Sequence, residues 1–472
     1  MFQWRVLTGD YTGRLGLALA HPLYIAAGRL LGLLSQRDLP FLLNFFSSLG
    51  MAVALANLAA VTTLLTGRRW IGLATAAMLA VTHAAWWLSV IAEVYTWSAA
   101  GLTAELWLLV LLLRRPSWQK LAGLALVNGL GLCVHNFALL PLLVYVIVAV
   151  VLVASRRLPA RSLAAAAGGY CLGAGLFMIM TIDLAVRTAD SAGAVSSALF
   201  GNYARQVLNI TETSKNLKAN AALAALSFAN LLGPLAVIGW VRMRRRLGGV
   251  PAATIGAITL IELLFVVRYP VPDQFTFLLP TLVMVSLAVA IGLAVLADAG
   301  RRWRIAAVAA CLLSITLPPV FYCTAPTLAC WAGVEIKRAR KLPFRNEMRY
   351  WIVPWKHNEQ SAELFARAAC QEAKPDGVIL ADSTSVYPLL IVQRRDQSAR
   401  GASVQFRGRP LPLYRKDPRA FRQALAGRQL YAVSTSYLPD ELLRDAKFTR
   451  HENQVLYRAA WELAPQVTTA PR

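Results

Sequence analysis

Arginine clusters lie in alternate turns between the apolar segments of this chain, and this one-sided distribution constrains the fold more than any other feature. The clusters are Arg68-Arg69, Arg114-Arg115, Arg156-Arg157 with Arg161, Arg242 with Arg244-Arg245-Arg246, and Arg301-Arg302 with Arg304. Because clusters of this kind in membrane proteins stay in the cytoplasm, they predict a fixed orientation. The intervening turns, which we expect to be extracytoplasmic, carry Asp10, His21, Glu93, His135, Asn136, Arg268 and Asp273.

The bulk composition supports a polytopic membrane protein. Of the 472 residues, 57% are hydrophobic and the mean hydropathy is +0.51, whereas soluble domains are about 45–50% apolar. Apolar runs near the length of a membrane span predict about ten helices. They are Phe41–Leu65, Ile71–Val90, Tyr95–Leu113, Leu121–Val134, Phe137–Ala154, Leu163–Val186, Ala221–Val241, Ala253–Val267, Phe275–Leu296 and Ile305–Tyr322.

The net charge of +24 does not indicate nucleic-acid binding. Much of it is the orientation signal, which also attracts anionic lipid headgroups. The excess on the C-terminal tail has two interpretations: it lies near such headgroups, or it meets an anionic ligand.

The orientation has a consequence for the first forty residues, which it places outside the membrane. The segment Met1–Val6 resembles the end of a helix, so we hypothesise a misplaced start codon or the loss of a first helix. The apolar segment Leu15–Leu34 predicts a helix on the outer surface or dipping into it. The polar loop Arg187–Asn220 is long enough for a short helix.

Two domains are predicted: a membrane domain over residues 1–330 and an extracytoplasmic α/β domain over residues 331–472. The second lacks a spanning segment and alternates helical and strand-like patterns. The helices are Glu359–Glu372 and Asp417–Ala426, and the strands are Gly377–Ala381, Ser403–Phe406, Gln429–Val433 and Gln454–Tyr457. In an oxidising compartment Cys323 and Cys330 are candidates for a disulfide, which spacing alone does not decide.

Asp10 and His21 are the first candidate site residues. Asp10 lies in a glycine-flanked turn, where a carboxylate suits a general base or a metal ligand. The alternative is a local Asx-turn. His21 precedes Pro22, which fits the first turn of a helix, and a histidine among apolar residues has either a packing or a functional role.

The remaining candidates also have structural alternatives. The stretch from Glu93 to Tyr95 lies between Trp86-Trp87 and Trp97, and tryptophans at this density are typical of the headgroup belt. Glu93 also suits the start of a helix. The pair His135-Asn136 forms either a ligand contact or a hydrogen-bonded turn. For Arg268 a phosphate and an ion pair with Asp273 are equally good partners.

Glu105 and Glu262 lie within predicted spans. An acid inside the membrane is costly and marks a functional or paired site. These two residues are therefore the best argument for a transporter.

Several short motifs, in a consistent order, resemble one family. The motifs are Asp10, Ala20-His21-Pro22-Leu23-Tyr24, Gly28-Arg29-Leu30, Asn44-Phe45-Phe46-Ser47-Ser48, Glu93-Val94-Tyr95, Gly129-Leu130-Gly131 with His135-Asn136, Val271-Pro272-Asp273-Gln274-Phe275, Leu342-Pro343-Phe344-Arg345-Asn346 and Pro354-Trp355-Lys356. Together they resemble the bacterial membrane family related to protein O-mannosyltransferases, in the GT-C glycosyltransferase superfamily. The chain departs from it at the shortened His21-Pro22-Leu23-Tyr24 stretch, in having Arg14 where a second acid is common, and in the missing first helix.

The resemblance implies transfer of a sugar, with mannose as one candidate, from a polyprenyl-phosphate donor to an acceptor hydroxyl on the outer face of a bacterial inner membrane. Asp10 matches the catalytic base, and Arg268 is the candidate for the lipid phosphate. Tyr95 and Trp97 would border the lipid or sugar, and the tail would position a protein, lipid or glycan acceptor. The need for a divalent cation stays open.

Two other functions compete with this one. A transporter or flippase of lipid-linked sugar would use Glu105 and Glu262 along a pathway. A non-catalytic scaffold would bind glycolipid without reaction. The gathering of polar candidates on one face favours the transferase.

Overall fold

The computed structural model describes residues 1–13, 15–208, 221, 232–269, 274–335, 342–396, 401–406, 417–425, 428–436 and 438–461. Two compact units are present. One comprises Phe2–Leu328 together with the short segment Ile352–Lys356, and the other comprises Ala329–Trp351 and His357–Arg472.

The first unit is helical throughout its described residues. Its helices are α1 (Phe2–Thr8), α2 (Pro22–Gly32), α3 (Leu39–Thr66), α4 (Arg69–Ala80), α5 (His83–Ser89), α6 (Tyr95–Arg114), α7 (Trp118–Val134), α8 (Leu139–Ala154), α9 (Arg161–Thr188), α10 (Ser191–Phe200), α11 (Ala204–Leu208), α12 (Leu232–Leu247), α13 (Gly249–Arg268), α14 (Leu278–Asp298) and α15 (Arg301–Trp331). Short 3₁₀ turns precede α2, α8, α11 and α14.

Among the described residues, seven helices are long and apolar enough to cross a membrane, or eight if the bent pair α4–α5 is counted as one span. The shorter helix α7 is also apolar. The prediction of a polytopic helical membrane protein is confirmed. The segment 222–231 within the predicted span Ala221–Val241 lies outside the described residues.

The predicted span Ile71–Val90 is not one continuous helix, because the chain bends by 74° between α4 and α5. Thr82 lies at the bend in an extended conformation. Its hydroxyl donates to the Leu79 carbonyl at 2.7 Å, which satisfies an acceptor that a continuous helix would have used. The break places His83 against Trp87 and Tyr322, with ring centroids 5.4 and 5.6 Å away.

Helix α14 forms the centre of this unit, since 89% of its most apolar 18-residue stretch is buried. A helix that is apolar on every side needs such surroundings. Elsewhere, α7 and α9 approach each other closely at Gly173, where a Cβ atom would lie 2.3 Å from the Leu126 carbonyl oxygen. Small residues permit this kind of contact between membrane helices.

The second unit contains a five-stranded sheet of β1 (Val378–Ala381), β2 (Ser403–Phe406), β3 (Leu430–Ala432), β4 (Ala446–Thr449) and β5 (Tyr457–Trp461) in the order β2-β1-β3-β5-β4. Strand β1 runs parallel to β2 and β3, and β5 is antiparallel to β3 and β4. The helices are α16 (Glu347–Ile352), α17 (Ser361–Glu372), α18 (Val386–Arg395), α19 (Pro418–Ala424) and α20 (Asp440–Asp445). The predicted α/β character is confirmed.

One predicted strand and the candidate disulfide are corrected. The strand expected over Gln454–Tyr457 instead begins at Tyr457, because the N–H groups of Val455 and Leu456 donate to the Glu372 carboxylate at 2.8 and 3.3 Å. Cys323 and Cys330 are free and lie seven residues apart in α15. A helix separates such residues by roughly 10 Å, too far for a disulfide.

Candidate active site

Asp10 lies in the turn that follows α1. Its Oδ1 accepts the Gly13 N–H at 2.8 Å and the Thr12 hydroxyl at 3.4 Å. This is the local turn that the sequence offered as the alternative to catalysis. The Asp10 side chain is nevertheless 39% exposed, so the carboxylate keeps acceptor capacity for a further proton donor.

A buried arginine holds the Asp10 turn in place. Arg5, in α1, is only 3% exposed. It donates to the carbonyls of Asp10 at 3.1 Å and Tyr11 at 3.0 Å, and to those of Leu19 at 2.9 Å and Ala20 at 2.5 Å. Its Nε also lies 4.0 Å from Asp10 Oδ2. One guanidinium thus ties the turn to the segment that leads into α2.

The sequence prediction did not include Arg5 among the functional residues. The signal that could have found it is its position between Phe2 and Val6, both of which are buried. An arginine in an apolar segment needs several acceptors, and the glycine-rich turn immediately after it supplies them.

His21 begins α2 as predicted, with Pro22 in the first turn. Its left-handed backbone (φ 52°) turns the chain into the helix. The ring Nδ1 donates to the Val134 carbonyl at 2.8 Å. Burial lowers the His21 pKa to about 3; the Val134 hydrogen bond opposes this shift and Arg5 adds to it. His21 is therefore a neutral ring that joins α2 to the end of α7.

His135 stacks on His21, with ring centroids 5.1 Å apart and planes at 20°. Its Nδ1 accepts the Phe137 N–H at 3.1 Å, which leaves the hydrogen of the neutral ring on Nε2. Burial, and then the neighbouring His21, lower the His135 pKa well below its usual value. The bond to the Phe137 N–H forms the hydrogen-bonded turn that was one of the two alternatives for His135.

His21, His135 and Tyr95 belong to one cluster of rings, and Tyr95 extends this ring cluster toward α13 and α14. Its ring centroid lies 5.2 Å from that of His135 and 5.7 Å from that of Phe277. Phe277 in turn lies 5.4 Å from Tyr269, the residue that follows Arg268 at the end of α13. The half-buried Arg268 is therefore next in sequence to a ring of the same cluster.

Other predicted residues have different surroundings. The Glu93 backbone is pinned by Ser47, whose hydroxyl donates to the Glu93 carbonyl and accepts its N–H, both at 3.1 Å. The Asn136 amide donates to the carbonyls of Ala198 at 2.7 Å and Leu199 at 3.3 Å in α10. Asp273 lies outside the described residues, as does the possible Arg268–Asp273 contact.

The segment Ile352–Lys356 adds a cation that the sequence prediction did not assign to the site. The Lys356 ammonium lies 3.7 Å from the centroid of the Trp87 ring and donates to the Val353 carbonyl at 2.6 Å. Trp355 packs against Trp86 with ring centroids 5.0 Å apart. The tryptophan-rich end of α5 is thus covered by this returning segment.

The acids within the membrane spans line one small cavity. Glu105 accepts hydrogen bonds from Asn128 at 3.1 Å and from Tyr145 at 2.9 Å. Glu262 is 2% exposed and lines the same cavity of about 10 Å³. This volume is roughly that of one water molecule.

Candidate metal ligands are not assembled in the part of the chain that the structure describes. No group of three or more His, Cys, Asp or Glu side chains there could hold a metal ion. The described residues therefore assign no ligands to a divalent cation.

Comparisons with known proteins give a family similarity over part of the chain and a fold over most of it. Residues 17–159 match the model of the protein O-mannosyl-transferase TMEM260 N-terminal domain, a match that starts after Asp10. No curated protein sequence matches the chain.

Two crystal structures of ArnT from Cupriavidus metallidurans are similar, each with a TM-score of 0.51 and 97% of this chain covered. The structure bound to undecaprenyl phosphate is 14% identical with 92% of its chain covered, and the apo structure is 15% identical with 91% covered. The chain is therefore a multi-pass membrane protein with the fold seen in ArnT, and its residues 17–159 are similar to the protein O-mannosyl-transferase TMEM260 N-terminal domain.

Proposed function

We propose that this protein is a membrane glycosyltransferase that moves a sugar from a polyprenyl-phosphate donor to an acceptor hydroxyl. The reaction would occur on the extracytoplasmic face of a bacterial inner membrane, where the second unit would also lie. The observation that carries the proposal is the Asp10 turn. A partly exposed carboxylate is fixed by the buried Arg5 to the segment that bears His21.

Asp10 would act as the general base. The acceptor hydroxyl donates its proton to Asp10 while its oxygen bonds to the anomeric carbon of the sugar. The bond between that carbon and the phosphate oxygen breaks, and the polyprenyl phosphate leaves with the bonding electrons. A positioned base of this kind accelerates reactions by roughly 10²–10⁴-fold.

The ring cluster and Arg268 would form the donor side of the site. A guanidinium is suited to the oxygens of a phosphate, and its charge would stabilise the leaving group as negative charge develops. The apolar faces of Tyr95, Tyr269 and Phe277 would border the lipid or the sugar. The similarity to ArnT, which was crystallised with undecaprenyl phosphate, supports a donor of this class.

The stacked histidines would orient the site without exchanging protons. Both rings are buried and neutral, and their Nδ1 atoms are engaged by backbone groups. A buried neutral histidine pair makes a poor proton relay near neutral pH, so proton acceptance falls to Asp10. His21 and His135 would instead keep α2, α6 and α7 in register around the donor.

No specific observation favours the transporter. Glu105 uses both carboxylate oxygens to accept hydrogen bonds from Asn128 and Tyr145, which is a structural role. The cavity that it shares with Glu262 has room for about one water molecule. A pathway for a lipid-linked sugar would need a far larger opening.

The test compares two aspartates with the same local geometry. Asp190 accepts the Gly193 N–H at 2.8 Å, as Asp10 accepts the Gly13 N–H at 2.8 Å, but Asp190 lies at the exposed start of α10. We expect Asp10→Asn to lower the rate of sugar transfer from polyprenyl-phosphate mannose or glucose by about 10²–10⁴-fold. Asp190→Asn should leave the rate near that of the wild type.

The assay uses purified full-length protein in lipid vesicles, with membrane extract as the source of acceptor. Equal rates for the wild type and Asp10→Asn would remove Asp10 as the base. A wild-type protein that consumes no polyprenyl-phosphate sugar would refute the proposed function itself.

A further inference from the structure

A cavity of about 270 Å³ opens between α3, α6, α12, α13 and α14, at the ends of helices adjoining the arginine clusters. Ten of its twelve lining residues are apolar, and the other two are Arg114 and Arg246. An apolar wall with two guanidinium groups at its rim is complementary to an amphiphile that has an anionic head and a hydrocarbon tail.

The arginines around this cavity carry a surplus of positive charge. Asp298 bonds Arg246 at 2.6 Å through one carboxylate oxygen and Arg68 through the other. No other acid occurs in the sequence of the adjoining segments 60–70, 110–120, 240–256 and 296–306. With Arg114 included, three cations face one anion, which leaves a net local charge of about +2.

Both lining guanidinium groups retain hydrogen-bond donors. Arg114 donates to the Leu64 carbonyl through Nη2. Arg246 uses Nη1 for Asp298 and Nη2 for the Thr66 carbonyl at 3.4 Å. Since a guanidinium has five N–H donors, each can bind a phosphate oxygen without giving up its present partners.

This cavity is separate from the candidate active site. Helix α6 begins at Tyr95, in the ring cluster, and ends at Arg114, on the cavity. Nineteen helical steps of 1.5 Å separate the two ends by roughly 28 Å, which is close to the hydrocarbon thickness of a bilayer.

We propose that the cavity binds an anionic phospholipid of the cytoplasmic leaflet, such as phosphatidylglycerol. The lipid phosphate bridges Arg114 and Arg246, and the start of an acyl chain lies along the apolar wall formed by residues such as Leu109 and Ile255. The remainder of the lipid continues into the bilayer, since the cavity is smaller than the 300–1,000 Å³ typical of sites that enclose a whole ligand.

The apolar wall decides between a lipid and free phosphate. Inorganic phosphate would use the two arginines but would gain nothing from ten apolar residues. A lipid gains from both, because burying each methylene contributes about 0.8 kcal/mol relative to water. A zwitterionic lipid has the same tail but brings its own cation to the site and so loses part of the charge complementarity.

The experiment compares two neighbouring arginines. Arg114 and Arg115 are both exposed, but only Arg114 lines the cavity. Full-length protein in detergent is titrated with dioleoyl phosphatidylglycerol, dioleoyl phosphatidylcholine or inorganic phosphate, and binding is followed by native mass spectrometry and by the thermal midpoint. We expect saturable binding of phosphatidylglycerol alone. It should weaken by about tenfold or more in Arg114→Gln, which removes charge-assisted hydrogen bonds, and by less than about twofold in Arg115→Gln.

A second variant protects the test against misfolding. Ile255→Trp fills the apolar wall without changing charge, and it should also abolish the saturable binding while a monodisperse elution profile is kept. Equal effects of Arg114→Gln and Arg115→Gln would show general surface attraction only and would overturn the proposal. So would equal binding of phosphatidylcholine, or binding of inorganic phosphate with the affinity of the lipid.

Discussion

Replacing Arg5 by lysine tests whether the guanidinium fixes the candidate active site. Lysine keeps the charge but offers three donors from a single point, whereas Arg5 reaches four carbonyls on two segments. Each hydrogen bond to a charged donor contributes about 1.5–3 kcal/mol. If lysine keeps two of the four and water replaces part of the loss, the turn should be destabilised by about 2–4 kcal/mol.

Two measurements follow this change. Hydrogen exchange should lose protection at Asp10 and Ala20, whose N–H groups bond the carbonyls of Arg5 and Leu17 in the wild type. The turnover rate should fall by roughly tenfold or more, since misplacing a catalytic group by about 1 Å can cost up to 100-fold. The KM for the donor should change little.

Arg37→Lys is the control, because Arg37 is exposed in the loop before α3. It should match the wild type in both measurements. Wild-type protection and turnover in Arg5→Lys would refute the positioning role and would show that charge alone is enough at this residue.

The remaining predictions concern the turn and the histidine pair. Gly9 and Gly67 both have positive φ (68° and 72°). A Cβ added at Gly9 would lie 2.1 Å from Arg29 Nη1, whereas a Cβ added at Gly67 would have no atom within 4 Å. Both Ala variants should therefore lose about 1–2 kcal/mol of stability from the backbone in thermal unfolding. Because the exposed Arg29 side chain can move aside from Gly9, the two losses should be similar, and a loss well above this range in Gly9→Ala alone would contradict the reasoning. His21 has a pKa of about 3 in the folded protein against 6.5 in the unfolded chain, so the unfolded chain binds more protons between these values. The contribution of His21 to stability should fall by about 1.4 kcal/mol per pH unit as the pH drops below 6.5. His21→Asn should make the slope in thermal unfolding from pH 7.5 to 4.5 shallower by that amount, and the contribution of His135 should remain. Parallel slopes in the two proteins would count against burial of a neutral ring.

Helix positions could be predicted because they depend on local sequence. Apolar runs and arginine clusters are read directly along the chain, and α3, α6 and α9 lie within a few residues of their predicted bounds. The bend between α4 and α5 could not be predicted in the same way. It depends on a threonine hydroxyl bond to Leu79 and on tertiary packing of His83 against Tyr322.

The candidate site likewise combines a feature that local sequence predicts with contacts that it does not predict. The proline after His21 predicted the start of a helix, and the structure has it there. The contact of His21 with His135 joins residues more than a hundred positions apart, which no local pattern reveals. Arg5 was missed because its four acceptors are backbone carbonyls, and backbone carbonyls leave no signature in a sequence.

Strand boundaries in the second unit depend on a distant side chain. The pattern of residues 454–457 is strand-like, but Glu372 accepts the N–H groups of Val455 and Leu456 and delays the strand. The carboxylate lies more than eighty residues earlier in the chain. Only the folded structure shows that these N–H groups have a partner outside the sheet.

The most direct test of the central claim follows the chemical fate of the donor. Wild-type protein in sealed vesicles is incubated with polyprenyl phosphate linked to a labelled sugar, and the lipid and the label are both analysed after extraction. The account predicts that polyprenyl phosphate without sugar accumulates while the label becomes attached to an acceptor. Donor that crosses the bilayer with its sugar bond intact, or that stays unchanged, would contradict it.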